Sequence, residues 1–330
     1  MKTLNHYWYS QNFIAWLLLP LSWLFRALSI ARRWGYTSGL LTAVKLPVPV
    51  IVVGNIAVGG TGKTPLLIAL CDLLKAWGYT PGVISRGYAS QLSGEALLNE
   101  DSTPAEVGDE PVLISRRTFC PVAVGKDRVA AAQLLLSHAD CDIILSDDGL
   151  QHYRLQRDIE IAVIDAQRKH GNGFYLPAGP LREPVKRLES VDFVVTHGDD
   201  KAHYHFNLEF SAAMNLVTRQ RVDLETLANE RIHAVAGIGN PQRFFDQLEA
   251  LGIKVIAHGF DDHHDFTEAD LQFDESLPVF MTEKDAVKCN HMALQDLWYV
   301  PVRAKLSPHL ITDFQNCVQR VFHQRAHATS

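Results

Sequence analysis

At 330 residues, 47% of them hydrophobic and 21% charged, the chain can bury a full core and is long enough for one large or two medium domains. A net charge of −6 excludes the broad basic surface that non-specific nucleic-acid binding requires, so no nucleic-acid partner is expected. Five scattered cysteines without a C-x-x-C pair exclude a disulfide framework and a zinc cluster, and Cys289 with His291 supplies only two ligands.

The charge is unevenly spread. Residues 1–45 hold Lys2, Arg26, Arg32, Arg33 and Lys45 with no acid, so this stretch carries +5 and the remainder −11. It also holds four of the six tryptophans, Trp8, Trp16, Trp23 and Trp34. Phe13 to Phe25 is almost unbroken apolar sequence, but 13 residues fall short of the roughly 20 that a spanning helix needs, and Pro20 should bend it. Arginines rather than small residues follow the run, so cleavage as a signal peptide is not expected. Indole rings settle at the headgroup level and arginines attract anionic lipid, which suits an interfacial helix better than a buried one. Removing residues 1–36 should then leave nucleotide affinity nearly unchanged.

Beyond Pro47-Val48-Pro49, short β-branched runs alternate with helical stretches. Strands are expected at Val50–Val53, Gly82–Ser85, Val122–Gly125, Asp142–Ser146 and Ile159–Ile164, with helices at Lys63–Trp77, Glu110–Arg117 and Asp127–His138. This is the pattern of βαβ units around a parallel sheet, which binds ligands beyond the carboxyl ends of its strands. His203 to Thr218 alternates polar and apolar residues like a linking ribbon. A second α/β series follows, with strands at Ile232–Ala236, Lys254–Ala257, Val279–Thr282 and Leu297–Val302 and a helix at Pro241–Leu251. The expected organisation is a membrane-associated helical region over 1–45, a nucleotide-binding core over 46–200, an extended linker over 201–230 and a smaller α/β domain over 231–330.

Between the first strand and the first helix lies Ala57-Val58-Gly59-Gly60-Thr61-Gly62-Lys63-Thr64. Glycines let backbone amides turn inward around phosphate oxygens, and the helix N-terminus adds its dipole. Lys63 would reach the β and γ phosphates and Thr64 would complete magnesium coordination. Ala57 replaces the first glycine of the strict P-loop pattern, but strand, turn and helix stand in the required order. Asp142 to Ser146 is an apolar strand running into Asp147-Asp148-Gly149, the arrangement of a Walker B carboxylate on magnesium. The strand-terminal turn alone would also explain an Asp-Gly pair.

Other acids and bases are less determined. Asp109 and Glu110 open a helix, where acids serve as caps, yet their element should face the nucleotide edge. Asp261-Asp262-His263-His264-Asp265 offers groups that could accept a hydroxyl proton, although a solvated charge run reads the same way. Thr282-Glu283-Lys284-Asp285 lacks the order of a guanine-reading element, so ATP is expected rather than GTP. Leu176 to Pro184 is a rigid loop that presents Arg182 to a phosphate and Glu183 to hold it, or is a plain surface turn.

Taken in order, Gly54-Asn55 with Gly59 to Pro65, Ser85-Arg86-Gly87-Tyr88, Gly108 to Pro111, Asp147 to His152, Leu176 to Pro184, Asp262-His263 and Thr282 to Ala286 resemble the tetraacyldisaccharide 4'-kinase family, the lipid A 4'-kinases. These pieces span nearly the whole chain. The resemblance implies a P-loop NTPase-like α/β fold with a second, smaller α/β domain and an N-terminal membrane-associated helix. It implies ATP and Mg2+ as cofactors and a tetraacylated disaccharide 1-phosphate as acceptor, giving lipid IVA at the cytoplasmic face of the inner membrane. By position, Asp109 and His263 become an acid-base pair, with His264 blurring the register. Thr64, Glu110, Asp147 and Asp148 become the surroundings of magnesium. The regulatory P-loop ATPase, which hydrolyses nucleotide without a small-molecule acceptor, is the rival reading, and the oligomeric state is left unassigned.

Overall fold

The computed structural model describes residues 7–10, 12–88, 92–292 and 294–328; Lys2, counted in the basic N-terminal stretch, lies outside the described residues. Helix α1 (Phe13–Thr37) precedes β1 (Val50–Gly54), α2 (Lys63–Ala76), β2 (Pro81–Ser85), β3 (Ala96–Leu97), α3 (Pro104–Val107), α4 (Asp109–Thr118), β4 (Val122–Val124), α5 (Arg128–His138), β5 (Ile143–Asp147), β6 (Ile159–Asp165), β7 (Phe193–His197) and β8 (His205–Glu209). Then come β9 (Ala212–Asn215), β10 (Arg221–Asp223), β11 (Arg231–Ala236), α6 (Pro241–Ala250), β12 (Lys254–Gly259), β13 (Val279–Thr282), α7 (Glu283–Ala286), β14 (Leu297–Val300), β15 (Arg303–Leu306) and α8 (Pro308–Ala328).

Nine strands form the first sheet in the order β15-β8-β7-β6-β1-β5-β2-β4-β3. The strands from β8 to β4 run parallel, and antiparallel β15 and β3 close the edges. Burial on both faces explains the β-branched run of β1: Ile51 and Val53 enter one core with α2, α4 and α8, while Val50 and Val52 enter another with α5. Because β5 and β6 flank β1, the loops after all three meet at one sheet edge.

The second sheet has the order β10-β9-β14-β13-β11-β12. Phe244, Phe245 and Leu248 of α6 pack on one of its faces, and Phe266, Leu271, Ala286 and Cys289 cover the other.

Two expected boundaries differ from these sheets. The stretch read as a linker is strand-forming: β8 pairs with β7 in the first sheet and β9 with β14 in the second. The end of the chain, expected in the smaller domain, returns to the first sheet, where β15 pairs with β8 and Leu310, Phe314, Cys317, Val318 and Val321 of α8 enter the core beside α2. Their helical spacing forms a single apolar stripe, and the first sheet is the surface left uncovered for it.

Helix α1 is also longer than expected, running 25 residues through Pro20 and reaching the length and apolarity of a spanning helix. Its contact with the protein uses small residues. Ala15, Ser22 and Gly35 are buried, whereas Phe13 is 80% and Trp23 64% exposed. Ser22 Oγ donates to Tyr175 O at 2.8 Å and accepts from Ala178 N at 3.0 Å, and Ser29 Oγ donates to Arg182 O at 3.2 Å.

Phe314 is fully buried between Trp77 and Phe193 although it lies near the end of the chain. Phe314→Ala should destabilise the first domain by about 3–5 kcal/mol. Urea unfolding followed by circular dichroism should show the loss as a lower midpoint.

Candidate active site

The loop after β1 is built from its own sequence and from the loop at 176–184. Gly62 caps α2 with φ 87°, a conformation that favours glycine, and a Cβ there would press on the His197 ring and Phe206 at 3.0 Å. The Asn55 amide donates to Thr61 Oγ1 at 3.2 Å. Val58 N donates to Pro180 O at 2.8 Å and Arg182 N to Ile56 O at 2.7 Å, so the two loops form one body.

That stitching delivers Arg182 to the end of β5. Its Nη1 lies 2.9 Å from both carboxylate oxygens of Asp148, and Lys63 Nζ is 3.6 Å from the same carboxylate. Burial opposes ionisation of Asp148, but Lys63 and Arg182 together hold its carboxyl well below the usual carboxylate range. Asp147 beside it has the opposite environment. Ser85 donates to its Oδ2 at 3.0 Å, while its buried Oδ1 has no hydrogen-bond partner among the described residues. Burial, and then the neighbouring charges of Glu110 and Asp148, push the Asp147 carboxyl up to about 7.

Across the cleft the two sheets meet. His263 Nδ1 is 3.0 Å from Asp109 Oδ2. Asp109, the first residue of α4, also accepts from Glu110 N at 2.9 Å. Lys284 Nζ stands among three acids, 3.0 Å from Glu110, 3.4 Å from Asp262 and 4.0 Å from Asp109. Burial is the largest influence on His263 and tends to lower its pKa, but the hydrogen bond with Asp109 and the charges of Asp109 and Asp262 together make the net shift upward. Burial likewise favours the neutral Asp109, yet His263 and Lys284 bring its carboxyl below the ordinary value. His264 belongs to a different contact, with Nε2 3.3 Å from Asp270 and its ring between Phe260 and Phe266.

A cleft of about 1310 Å³ joins these groups. Val58 to Thr64, Asp147, Asp148, Glu110, Arg182 and His263 line it. Asp109, 5% exposed, lies behind His263, and Ala57 sits at the base of the loop, bridged to Leu181. Glu183 is not at the cleft: it is 1% exposed and accepts from Gln151 at 2.9 Å and from the Tyr153 hydroxyl. Its expected place on the acceptor is therefore corrected to a buried support for the loop that carries Arg182. Trp8, Tyr9 and Ser10 also line the cleft, with Trp8 Nε1 donating to Pro177 O at 2.9 Å. Removing residues 1–36 would therefore also remove part of the cleft wall.

Sequence reasoning gave no site role to Lys284 or Arg168, both of which line the cleft.

The tetraacyldisaccharide-1-P 4'-kinase family profile matches residues 14–319. The chain belongs to this family. It is 50% identical over 302 residues to the tetraacyldisaccharide 4'-kinase of Nitrosococcus oceani, covering 91% of this chain and 89% of the relative. The corresponding protein of Pasteurella multocida is 49% identical over 316 residues, covering 93% and 96%. Among solved structures, LpxK from Aquifex aeolicus in complex with ATP superposes with a TM-score of 0.80 at 30% identity, covering 94% of this chain and all of that one. Family membership accounts for the order of the motifs along the chain, and the P-loop α/β architecture with its second α/β sheet is the fold it shares with the Aquifex aeolicus structure.

The pairing across the cleft depends on pH from both partners. A raised His263 pKa favours the pair fully below about 6.5, with the gain lost as pH rises through the folded value. A lowered Asp109 pKa favours it above about 3.9, with the gain lost as pH falls through the folded value. In NMR titration of the imidazole protons, His263 should titrate above a free histidine, and Asp109→Asn should bring it down. An unchanged titration in the variant would mean that the contact does not form in solution.

Proposed function

We propose that this chain is an ATP-dependent kinase that transfers the γ-phosphoryl group to the 4'-hydroxyl of a tetraacyldisaccharide 1-phosphate, forming lipid IVA. The observation that carries the reading is the meeting of His263 with Asp109 in the same cleft as the phosphate loop, in a chain of this family. A regulatory ATPase needs no proton acceptor for an alcohol opposite its P-loop, so this geometry favours the kinase.

In the proposed reaction the amides of Val58 to Gly62 wrap the donor phosphates, and Lys63 and Arg182 neutralise their oxygens. Their partner Asp148 keeps both cations aimed at the loop before nucleotide arrives. His263 faces the cleft with Asp109 behind it, so His263 takes the hydroxyl proton while Asp109 orients the ring and stabilises its charged form. Because phosphoryl transfer is mostly positioning and charge neutralisation, this base refines the rate rather than creating it.

Among the described residues no three His, Cys, Asp or Glu side chains converge as a ready-made metal cage. Magnesium does not require one, since it keeps waters and phosphate oxygens and takes one or two carboxylates. The Oδ1 of Asp147, without a partner among the described residues and crowded by Glu110 and Asp148, fits the role of a cation ligand. Asp147 with Thr64 would hold Mg2+, with Asp148 and Glu110 around it; a bound ion supplies charge neutralisation for the β and γ phosphates.

The acceptor's acyl chains stay in lipid, each buried methylene holding by about 0.8 kcal/mol, so the enzyme must come to the membrane. Bonded at Ser22 and Ser29 to the 174–182 stretch, α1 cannot project away from the protein as a spanning helix would. It lies along the interface instead, with Trp16, Trp23, Leu24 and Trp34 toward lipid, at the cytoplasmic face of the inner membrane where ATP is supplied.

Three outcomes follow from this reading. With radiolabelled ATP and disaccharide 1-phosphate in mixed micelles, Lys63→Ala should lower kcat by about two orders of magnitude or more while the protein stays folded. Asp109→Ala and His263→Ala should each lower kcat, and the double variant should lose far less than the product of the two; simple multiplication would exclude a joint role. Trp23→Glu with Leu24→Asp should abolish flotation with anionic vesicles and leave ATP binding intact, whereas undiminished flotation would place the membrane contact elsewhere.

A further inference from the structure

Most of the cations facing the cleft are neutralised by the protein's own acids: Lys63 and Arg182 by Asp148, Lys284 by Glu110 and Asp262, Arg243 by Asp165. Arg168 is held differently. Its Nη2 donates to Gly239 O at 2.6 Å, its guanidinium lies 5.2 Å over the Tyr9 ring, and it makes no ion pair among the described residues. The stem is fixed from below, because Asp165 Oδ1 accepts from Gln167 N and Arg168 N at 2.9 Å each. Asp165 is in turn 2.7 Å from Arg243, which belongs to α6 of the second sheet.

The guanidinium therefore stands where the first turn of the phosphate loop, the N-terminal segment and the second sheet converge. Gly59 has φ 128°, and a Cβ placed on it would lie 3.4 Å from Arg168 Nη1 and 3.4 Å from Tyr9 Oη. A planar cation with several donors, preorganised against that turn and without a carboxylate to neutralise it, suits the equatorial oxygens of a phosphoryl group in transfer. P-loop enzymes use an arginine supplied in cis or in trans at this stage.

We propose that Arg168 is a catalytic residue of the kinase reaction, acting in cis on the γ-phosphoryl group; this rests on the kinase reading above. In the step it serves, the bond from the γ-phosphorus to the β–γ bridging oxygen breaks and its electron pair leaves with ADP. A bond from the acceptor oxygen to the γ-phosphorus forms, and the hydroxyl proton passes to His263. Arg168 donates to the phosphoryl oxygens during this exchange. Tyr9 and the Gly239 carbonyl hold the guanidinium in place until the nucleotide arrives.

The test compares Arg168→Ala and Arg168→Lys, each checked for folding by circular dichroism. Phosphorylation of the disaccharide should lose about two to three orders of magnitude in kcat with Arg168→Ala and remain at least about tenfold down with Arg168→Lys, which cannot supply the planar fork. ATP affinity, read by calorimetry, should change no more than about threefold. Binding of ADP with aluminium fluoride, a mimic of the phosphoryl in transfer, should be lost in Arg168→Ala, and added guanidinium should restore part of its turnover. Wild-type kcat in Arg168→Ala, or a loss of ATP affinity with kcat intact, would overturn the proposal and leave Arg168 a structural pin. If wild-type protein transfers nothing to the disaccharide, the kinase reading fails instead, and the ADP–aluminium fluoride comparison still decides what Arg168 does.

Discussion

The pairing of His263 with Asp109 joins two sheets that share no strand, and most of what surrounds the cleft depends on it. His263 sits at φ 65° in the turn after β12, a left-handed conformation that costs a non-glycine residue about 1 kcal/mol or more. Asp109 is at the opening of α4. Lys284, entering from α7, balances Asp109, Glu110 and Asp262 in the same small volume. Buried charges of this kind add little net stability, because desolvation offsets their attraction. Their consequence is geometric: they bring groups of both sheets together at one cleft.

The loop at 176–184 links the two ends of the reaction in space. Through Pro180 and Arg182 it is bonded to the phosphate loop, and Arg182 also shares Asp148 with Lys63. Through Tyr175, Ala178 and the Arg182 carbonyl it is bonded to the serines of α1. Glu183 stabilises this loop from beneath by tying it to Gln151 and Tyr153. One segment therefore carries both the docking site of α1 and a cation of the cleft, so the separation between α1 and the glycine loop is set by hydrogen bonds of the fold rather than by a flexible tether.

Helix α1 inverts the usual arrangement of a core helix. Small residues face the protein and large aromatic and aliphatic ones face outward, where monomeric soluble proteins rarely leave a contiguous apolar surface. The serines that dock it can do so because they bond carbonyls of a loop, which a Leu or Trp in the same place would leave unsatisfied.

Local features were legible in the sequence because local physics decides them. A β-branched run, a glycine turn and a helix start specify the phosphate loop within Val50 to Thr64, and an apolar strand ending in Asp147 and Asp148 announces itself in the same way. The order of the motifs also carried the family and the pairing of Asp109 with His263. Only the tertiary structure decided between His263 and His264, since adjacent residues differ in direction and not in chemistry: one turns to Asp109 and the other to Asp270. It likewise withdrew Glu183 from the cleft, sent α8 back to the first sheet, and brought Arg168 and Lys284 into the lining of the cleft that holds the glycine loop. These depend on which surfaces remain uncovered after the sheets form and on charges meeting across more than a hundred residues, neither of which is expressed in any short stretch of chain.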